Sequence, residues 1–420
     1  MSTNISGSER GDDLKIDEEL AIRFWPSLPT RVGSPQVDMS SSPSASYALG
    51  ERARCVAAVA GDGDQTVFAV GTQRLKGNNS VHFIEHDRSR NALVKRGSYK
   101  HHPEIWDLQP SPTDATLIAT MYNPLSVTPD YGGAVWRVPG GGDDQNESKD
   151  GSLESVASFN GLTGAARCVR WKVGVGCDPN GPSTSGTLVT LDENSLKLWE
   201  LDASPSTTMA VTSSSNLESV DCKSPTSGAW DPHARDLFAV VVGDGVSIFD
   251  LRSMTRSTSL IRHHKQNTLN VSYDGKNQHK VVTCGGDGFV KVFDLRNPKS
   301  ALATKSGHEH AVFHVECNPV YDLLVSCSAD GTCKLWRDDF LGAESDAKTN
   351  TKRTLSNGGS ENNSNSVNSL VATYGESSRL NTVYGVAWSK ADPWSFVQLR
   401  DDGEVTLNTV PRAEKYRILL

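Results

Sequence analysis

The stretch GHEHAVFHVECNPVYDLLVSCSADGTCKLWR, residues 307–337, decides the fold. It contains three runs in which apolar and polar side chains alternate, separated by two short turns rich in Asn, Pro, Asp and Gly. Alternation with a period of two is typical of half-buried antiparallel strands, because successive side chains of a strand point to opposite faces. The stretch therefore predicts three consecutive strands joined by tight turns.

The same pattern recurs along the chain. With its Gly-His pair and with Trp336 closing the third run, the stretch resembles a WD40 repeat, which forms one blade of a β-propeller. First strands end at Leu108–Pro110, Trp171, Trp230, Tyr273, Cys317, Trp388 and, more weakly, just before Ala60. Third strands end at Ile84, Trp136, Trp199, Phe249, Phe293, Trp336 and Leu407. Both counts give seven, so the predicted fold class is all-β, a seven-bladed WD40 β-propeller.

The chain is predicted to divide into an arm and the propeller. Residues 1–46 are rich in Ser, Pro, Gly and charge and are predicted to form a mostly disordered arm. Within it, residues 14–25 (LKIDEELAIRFW) are apolar enough to favour a docking helix or an edge strand. Residues 47–420 are predicted to form the propeller. Polar insertions between its strands are predicted at 140–152, 176–186 and 203–217, and a long disordered loop at 341–369.

Closing the ring requires one more outer strand for the seventh blade. Residues 415–420 (KYRILL) are the best candidate, and residues 46–49 at the end of the arm are the alternative. The sequence leaves both open.

Composition narrows the classes of function. A net charge of −8 and a pI near 5.8 provide no general attraction to phosphate backbones, so nucleic acid is not expected as a partner. No stretch approaches the roughly 18 apolar residues of a membrane span, and the start of the chain lacks a signal-peptide core, so membrane association should be peripheral. Eight cysteines without a C-x-x-C pair indicate reduced, buried thiols in a cytosolic protein.

Histidines lie just before several first strands, as His101-His102, His263-His264 and His308-x-His310. Their spacing brings no three or four ligands together, so neither a metal site nor a cofactor is expected. WD40 blades use such a histidine in a buried polar network instead. In the quoted stretch the network residues are predicted to be His308, Ser326 or Ser328, Asp330 and Trp336. Corresponding turn acids are Asp192 or Glu193, Asp244, Asp287 and Asp402.

Catalytic motifs are missing from the sequence. Gly285-Gly286-Asp287-Gly288 looks like a phosphate loop only in isolation, because a strand rather than a helix follows it, and it is predicted to be a hairpin turn. We find no nucleophile elbow, zinc-protease pair or kinase motif set. The chain is therefore not expected to be an enzyme.

Two Phe-Asp-Leu-Arg copies end at Arg252 and Arg296. An arginine after the third strand of consecutive blades resembles a feature of propellers that serve as substrate receptors of cullin-RING ubiquitin ligases, although Phe replaces Trp here. The second interpretation is that each arginine pairs with an acidic residue at the rim of its blade.

Several less regular stretches carry a more specific resemblance. They are GTQRLKGNNSVHFIEHD at 71–87, EIWDLQPSP at 104–112, AVWRVP at 134–139, and YGVAWSKADPWSF with VPRAEKYRILL near the C-terminus. Together they resemble the EARP-and-GARP-interacting protein family over roughly residues 47–420. The resemblance implies a non-catalytic adaptor of the endosome-associated recycling and Golgi-associated retrograde tethering complexes, linked to small-GTPase trafficking machinery. It also implies a cytoplasmic protein recruited peripherally to the trans-Golgi network and endosomes.

The first and last blades hold most of these stretches, and they should lie side by side in a closed ring. We therefore expect partner contacts at that seam, including Arg74, Lys76, Trp394 and Arg412. The last blade departs from the family pattern, because TYGESSRLNTVYGVAW has Glu376 but no histidine before its first strand.

Overall fold

A computed structural model shows a seven-bladed β-propeller, as the sequence predicts. The structure describes residues 45–60, 65–74, 77–101, 103–123, 132–139, 149–162, 164–173, 186–201, 210–216, 224–260, 263–338, 369–378 and 381–420. Nearly all of the predicted arm, including residues 14–25, lies outside the described residues. So do Lys76, His102 and nearly all of the predicted loop at 341–369.

Each of blades 1 to 6 is built from four antiparallel strands that follow one another in chain order. Blade 1 contains β2 (Ala53–Ala58), β3 (Val67–Thr72), β4 (Asn79–Asp87) and β5 (Ala92–His101). Blade 2 contains β6 (Ile105–Pro110), β7 (Leu117–Tyr122), β8 (Gly132–Arg137) and β10 (Glu154–Ser158). Blade 3 contains β11 (Ala166–Trp171), β12 (Gly186–Asp192), β13 (Ser195–Leu201) and β14 (Ala210–Asn216).

Blades 4 to 6 repeat the arrangement. Blade 4 contains β15 (Ser227–Trp230), β16 (Leu237–Val242), β17 (Gly245–Asp250) and β18 (Thr255–Leu260). Blade 5 contains β19 (Thr268–Tyr273), β20 (Lys280–Gly285), β21 (Val290–Asp294) and β22 (Ala303–Lys305). Blade 6 contains β23 (Val312–Cys317), β24 (Leu323–Ser328), β25 (Cys333–Arg337) and β26 (Leu370–Tyr374). The first strands of neighbouring blades touch all the way round, so they line a central channel.

Blade 7 is closed by the start of the propeller. It consists of β27 (Val383–Trp388), β28 (Ser395–Arg400) and β29 (Glu404–Thr409), with β1 (Ala45–Ala48) as its outer strand. Ala45 pairs with Leu407 and Ala48 with Glu404.

Our preferred candidate for this strand was wrong, because KYRILL belongs to helix α1 (Arg412–Leu419). The alternative, near residues 46–49, is the one that the structure adopts. Leu49 N–H donates to Gly403 O at 3.1 Å, and a Cβ at residue 403 would lie 1.9 Å from the Glu51 carbonyl oxygen. Because Gly403 also has a positive φ of 83°, glycine is required where the ring closes.

In blades 2, 5 and 6, side chains of the first strand bond to the first strand of the next blade. Asp107 Oδ2 accepts the Val169 N–H at 2.9 Å, and Glu316 Oε2 accepts the Trp388 N–H at 2.9 Å. His314 Nδ1 accepts the Val386 N–H at 3.3 Å. The same relation holds for Gln109 with Trp171, Asn270 with Val315, and Ser272 with Cys317. These bonds satisfy backbone donors on the channel side of the first strands, which face no strand of their own sheet.

The core lies between the blades rather than within one. One apolar cluster combines Val282 and Cys284 of blade 5 with Leu324 and Trp336 of blade 6. Another combines β1 and blade 7 with blade 1 through Ala45, Leu407 and Phe68. An isolated blade could not bury both faces of its sheet, so stacking neighbours supply the apolar burial that stabilises each of them.

Three sequence expectations are wrong in detail. Residues 210–216, inside the predicted insertion 203–217, form β14, the outer strand of blade 3. Residues 149–152, inside the predicted insertion 140–152, form β9 (Lys149–Ser152), which pairs in parallel with β5. An outer strand needs only backbone partners on one side, so a polar sequence such as AVTSSSN can form it. In blade 7, Asn408 rather than Leu407 pairs with Phe396 and takes the place that Trp336 has in blade 6.

Candidate interaction surface

Blade 6 carries a closed network of buried polar groups. His308 Nδ1 lies 2.9 Å from Asp330 Oδ2, and His308 Nε2 lies 2.8 Å from Ser326 Oγ. Trp336 Nε1 donates to the same Ser326 oxygen at 2.8 Å. Asp330 also accepts the N–H and the hydroxyl of Thr332, at 2.9 and 2.6 Å. The network ties the entry loop, the second strand, the turn and the third strand of one blade together.

The protonation states follow from these bonds. Burial alone raises the pKa of the Asp330 carboxyl, but hydrogen bonds from His308 and Thr332 outweigh it and hold that pKa below its ordinary value. Burial lowers the pKa of His308, which keeps the imidazole neutral. Ser328, the alternative hydroxyl, instead donates to His310 O at 3.2 Å.

Other blades hold parts of the same network. In blade 5, His264 lies 2.8 Å from Asp287 Oδ1 and 2.9 Å from Thr283 Oγ1. In blade 2, Trp136 Nε1 donates to Thr120 Oγ1 at 2.8 Å, and His101 Nε2 lies 3.0 Å from the same oxygen.

Blade 4 differs from these blades. Val240 and Phe249 stand where Ser326 and Trp336 stand in blade 6. The carbonyl oxygen of Asp244 accepts the His263 and His264 N–H groups at 3.3 and 3.4 Å.

Most of the described thiols are buried, and the described residues show no cluster of metal-ligating side chains. Among the described residues, no three His, Cys, Asp or Glu side chains are grouped so that they could hold a metal ion. Cys168 is buried, and burial raises the pKa of its thiol to about 12. Cys327 and Cys333 face each other across the β24–β25 hairpin as free, buried thiols.

The two Phe-Asp-Leu-Arg turns bind their arginines internally. Arg252 Nη2 lies 3.0 Å from Asp250 Oδ2, and Arg296 Nη2 lies 2.6 Å from Asp294 Oδ2. Both arginine side chains remain about 70% exposed, at 75% and 71%. This is the rim pairing that the second interpretation describes.

Of the four residues expected at the seam of blades 1 and 7, Lys76 lies outside the described residues, and Arg74 does not lie beside Trp394. Arg74 follows β3 and pairs with Glu51 at 3.0 Å, at the end of the blades where chains enter the first strands. Trp394 lies in the turn before β28, on the side where Ser389 Oγ donates to Thr66 Oγ1 at 3.3 Å. The six residues of β3 separate Thr66 from Arg74, about 20 Å at 3.3 Å per residue. Trp394 and Arg74 are therefore on opposite faces of the ring.

Trp394 packs against blade 6 and the C-terminal helix. Its ring stacks on Tyr321 with centroids 4.0 Å apart, and Lys415 Nζ lies 5.7 Å from the Trp394 centroid. Arg337 anchors α1 through a bidentate ion pair with Glu414, at 2.9 and 2.7 Å. Arg412 begins α1 and is exposed. The helix leaves Tyr416, Leu419 and Leu420 exposed.

A second set of residues surrounds the mouth of the central channel. Six of the seven first strands, all within the described residues, carry a register shift at their second residue. A bulged residue is left unpaired by the ladder. Five of them, the mouth residues, are Arg54, Trp106, Arg167, Phe313 and Tyr384. All are half-buried.

Contacts between neighbouring blades join the mouth residues. The Arg54 guanidinium carbon lies 4.2 Å from the Trp106 ring centroid and 5.9 Å from that of Tyr384. The rings of Phe313 and Tyr384 are 5.1 Å apart. Sequence reasoning missed this set, although each member is the second residue of a first strand and follows an apolar residue, as in Ala53-Arg54.

Charged groups continue into the channel behind the mouth residues. Arg170 pairs with Asp107 of the neighbouring blade and also donates to Gly228 O at 3.0 Å. Burial raises the pKa of Glu316 and lowers that of His314 to about 4. The channel thus contains both charged and neutral groups.

Comparisons with known proteins agree with the propeller. A family model described as the EIPR1 beta-propeller matches residues 41–336. The Arabidopsis thaliana protein "WD repeat-containing protein DWA2" is 33% identical over 366 residues, which cover 87% of this chain and 95% of that protein. The human "EARP and GARP complex-interacting protein 1" is 30% identical over 402 residues, 89% of this chain and 98% of that protein. The Gekko japonicus "EARP-interacting protein homolog" is 31% identical over 390 residues, 89% and 98% of the two chains.

Proposed function

Because this chain belongs to the EIPR1 β-propeller family, we propose that it is a non-catalytic adaptor that binds multisubunit vesicle-tethering complexes of the EARP and GARP type. One observation carries the proposal. The chain aligns with proteins named for interaction with these complexes over 89% of its own length and 98% of theirs, so no large domain of those relatives is left unmatched.

The architecture supports a binding role. The ring is rigid, because several first strands are bonded to the next blade and each blade packs on its neighbours. A rigid ring with loops at both ends presents several surfaces to a multisubunit partner. The histidines and acids of blades 5 and 6 support a non-catalytic role, since they bind one another in structural networks.

In this proposal the adaptor is cytoplasmic and reaches the trans-Golgi network and endosomes through its protein partners. The only described helix is α1, and it is too short and too polar to cross a membrane. Association with small-GTPase-linked machinery would follow from the tethering complexes and not from a nucleotide site. We do not extend the proposal to a ubiquitin-ligase receptor, because Arg252 and Arg296 are held by the aspartates of their own turns.

Affinity capture tests the proposal. The tagged full chain is expressed in cells of its own source, captured, and its partners are identified by mass spectrometry. Subunits of the tethering complexes are expected to co-purify with the full chain. A variant lacking residues 1–49 and therefore β1 serves as a control, because its ring cannot close. Repeated captures of folded protein that contain no tether subunit would reject the proposal.

A further inference from the structure

We propose that the mouth residues form a docking site for an acidic peptide segment of a partner protein. The inference deepens the proposed function, and it rests on that function only for the identity of the partner. The geometry itself points to the chemistry of the ligand, a short chain carrying aspartate or glutamate side chains.

Arg54 is the central group of the site. It is half-buried, and among the described residues its guanidinium forms no ion pair with a carboxylate. It lies between the rings of Trp106 and Tyr384 instead, which attract a cation through their π faces. Burying a cation without a counter-ion is costly, so a carboxylate from outside would complete the site.

The acidic side chains near Arg54 do not neutralise the charge of its guanidinium. Asp107 is engaged with Arg170 and with the Val169 N–H. Glu104 is buried, and burial raises the pKa of its carboxyl while the charge of Arg54 acts in the opposite direction. Among the described residues, Glu104 forms no ion pair with Arg54. The guanidinium of Arg54 is therefore left to attract a carboxylate from outside the chain.

Arg167 adds a second positive charge. Burial lowers the pKa of Arg54, and the charge of Arg167 is close enough to lower it further. Arg167 reaches Glu193 only at 3.8 Å, and both of those side chains are partly exposed, at 28% and 42%. Such a pair contributes little, so Arg167 can exchange Glu193 for a ligand carboxylate.

The site is also preorganised for a peptide. Stacking on Trp106 fixes the planar guanidinium, so little side-chain entropy is lost when it forms two hydrogen bonds to one carboxylate. Phe313 extends the aromatic surface from Tyr384 and can cover an apolar side chain next to the acid. The combination of arginine and aromatic groups is typical of residues that dominate binding at interfaces.

A nucleic acid fits the site less well than an acidic peptide. Binding to a phosphate backbone needs several cations along a track, whereas here two arginines stand at one opening of a protein whose net charge is −8. We therefore assign the site to a protein segment, and an oligonucleotide serves as the competing ligand in the test.

The test uses the full chain and a displayed library of random peptides. Peptides retained by the wild-type chain are expected to be enriched in Asp and Glu over the input library. Re-synthesised peptides should bind at least about tenfold more weakly when their Asp and Glu are changed to Asn and Gln, because the bond to a charged group is lost. They should also lose at least about tenfold in affinity for Arg54→Gln and for Arg54→Gln with Arg167→Gln.

Two further variants separate binding from folding. Arg296→Gln removes an arginine on the opposite face and should bind as the wild type does. Arg167→Gln alone keeps the stacked Arg54 and should fold normally while binding more weakly. If Arg54→Gln melts at a lower temperature than the wild type, the affinities of Arg167→Gln and the wild type are compared instead.

The outcomes decide for or against the site. The proposed site would be overturned if the retained peptides were not enriched in Asp and Glu, or if the arginine variants bound them as tightly as the wild type. It would also be overturned if a fluorescent single-stranded oligonucleotide bound more tightly than the best peptide. Failure of the proposed function is a different result. If the wild type captures tether subunits and the arginine variants capture them equally, the tether is not the partner that the site binds, and the function stands. If acidic peptides bind and no tether subunit is captured, the function is wrong and the site stands.

Discussion

Blades 6 and 7 stand side by side and are held together differently. Blade 6 takes its four strands from residues 312–374, and its His308, Ser326, Asp330 and Trp336 form a closed network. Blade 7 takes its outer strand from Ala45–Ala48, more than 300 residues before its other strands. A repeat can therefore be stabilised by polar bonds within itself or by closure of the ring.

The difference is visible at equivalent positions. Ser326 of blade 6 corresponds to Gln398 of blade 7, and Trp336 corresponds to Asn408. Gln398 Oε1 and Asn408 Nδ2 are buried and lack hydrogen-bond partners among the described residues. Blade 7 thus lacks the stabilising bonds of blade 6, and it depends on β1 for its outer edge.

Removing β1 should have the largest effect. Deletion of residues 1–49 leaves the edge of β29 unpaired and removes Ala45, Tyr47 and Leu49 from the apolar cluster that they help to cover. At roughly 1.5–3 kcal/mol for each buried large apolar side chain, the loss is a large part of the 5–15 kcal/mol that usually stabilises a domain. We expect aggregation or loss of the cooperative transition, measured by circular dichroism and size-exclusion chromatography. Deletion of residues 1–43 keeps β1 and should melt as the full chain does; equal melting of the two truncations would contradict ring closure by β1.

Truncation of the two equivalent residues compares the blades directly. Trp336→Ala should cost about 3–5 kcal/mol, because it opens a cavity and removes the indole donor from Ser326. Asn408→Ala should cost less than about 1 kcal/mol, because its amide nitrogen already lacks a partner. Chemical denaturation gives both free energies of unfolding. Equal losses would show that the network adds nothing to blade 6.

The smallest effect concerns the seam between the two blades and depends on pH. His314 Nδ1 accepts the Val386 N–H, which requires a neutral imidazole, and burial, together with the charge of Arg170, lowers the pKa of His314 from 6.5 to about 4. Between those values the unfolded chain binds more protons than the folded chain. The contribution of His314 to the free energy of unfolding should therefore be constant above pH 6.5. It should fall by up to about 3 kcal/mol as the pH drops to 4.

A pair of variants isolates this histidine, since His82 and other residues also titrate. His314→Asn should show a shallower loss between pH 6.5 and 4 than the wild type, measured by denaturation at several pH values. His86→Gln changes a half-exposed histidine of β4 and should leave the wild-type slope unchanged. A His314→Asn slope equal to that of the wild type would assign the pH dependence to other groups.

Most of the fold could be predicted because the repeat is local. Alternation, turn glycines and the aromatic residues that end the third strands all act within one blade, and they identified seven blades correctly. The one-residue error at Leu407 arose because blade 7 places Asn408 where the other blades place a bulky side chain. The outer strand β14 was missed because a strand at the rim of a blade needs no apolar face.

The candidate site was less predictable. Arg74, Trp394 and Arg412 were grouped by their place in blades 1 and 7, but the six residues of β3 span the blade and put Arg74 on the opposite face from Trp394. The mouth residues come from five different blades. A single sequence gives no sign that their bulged positions meet.

The sequence by itself determined the architecture of this protein, because blade packing repeats through short-range patterns, and it indicated the family through less regular stretches such as residues 71–87. Only the tertiary structure decided how the ring closes and which side chains share a surface. Those outcomes depend on contacts between distant segments, such as Ala45 with Leu407 and Arg54 with Tyr384. Such contacts leave no periodic trace in the chain, since each is made once.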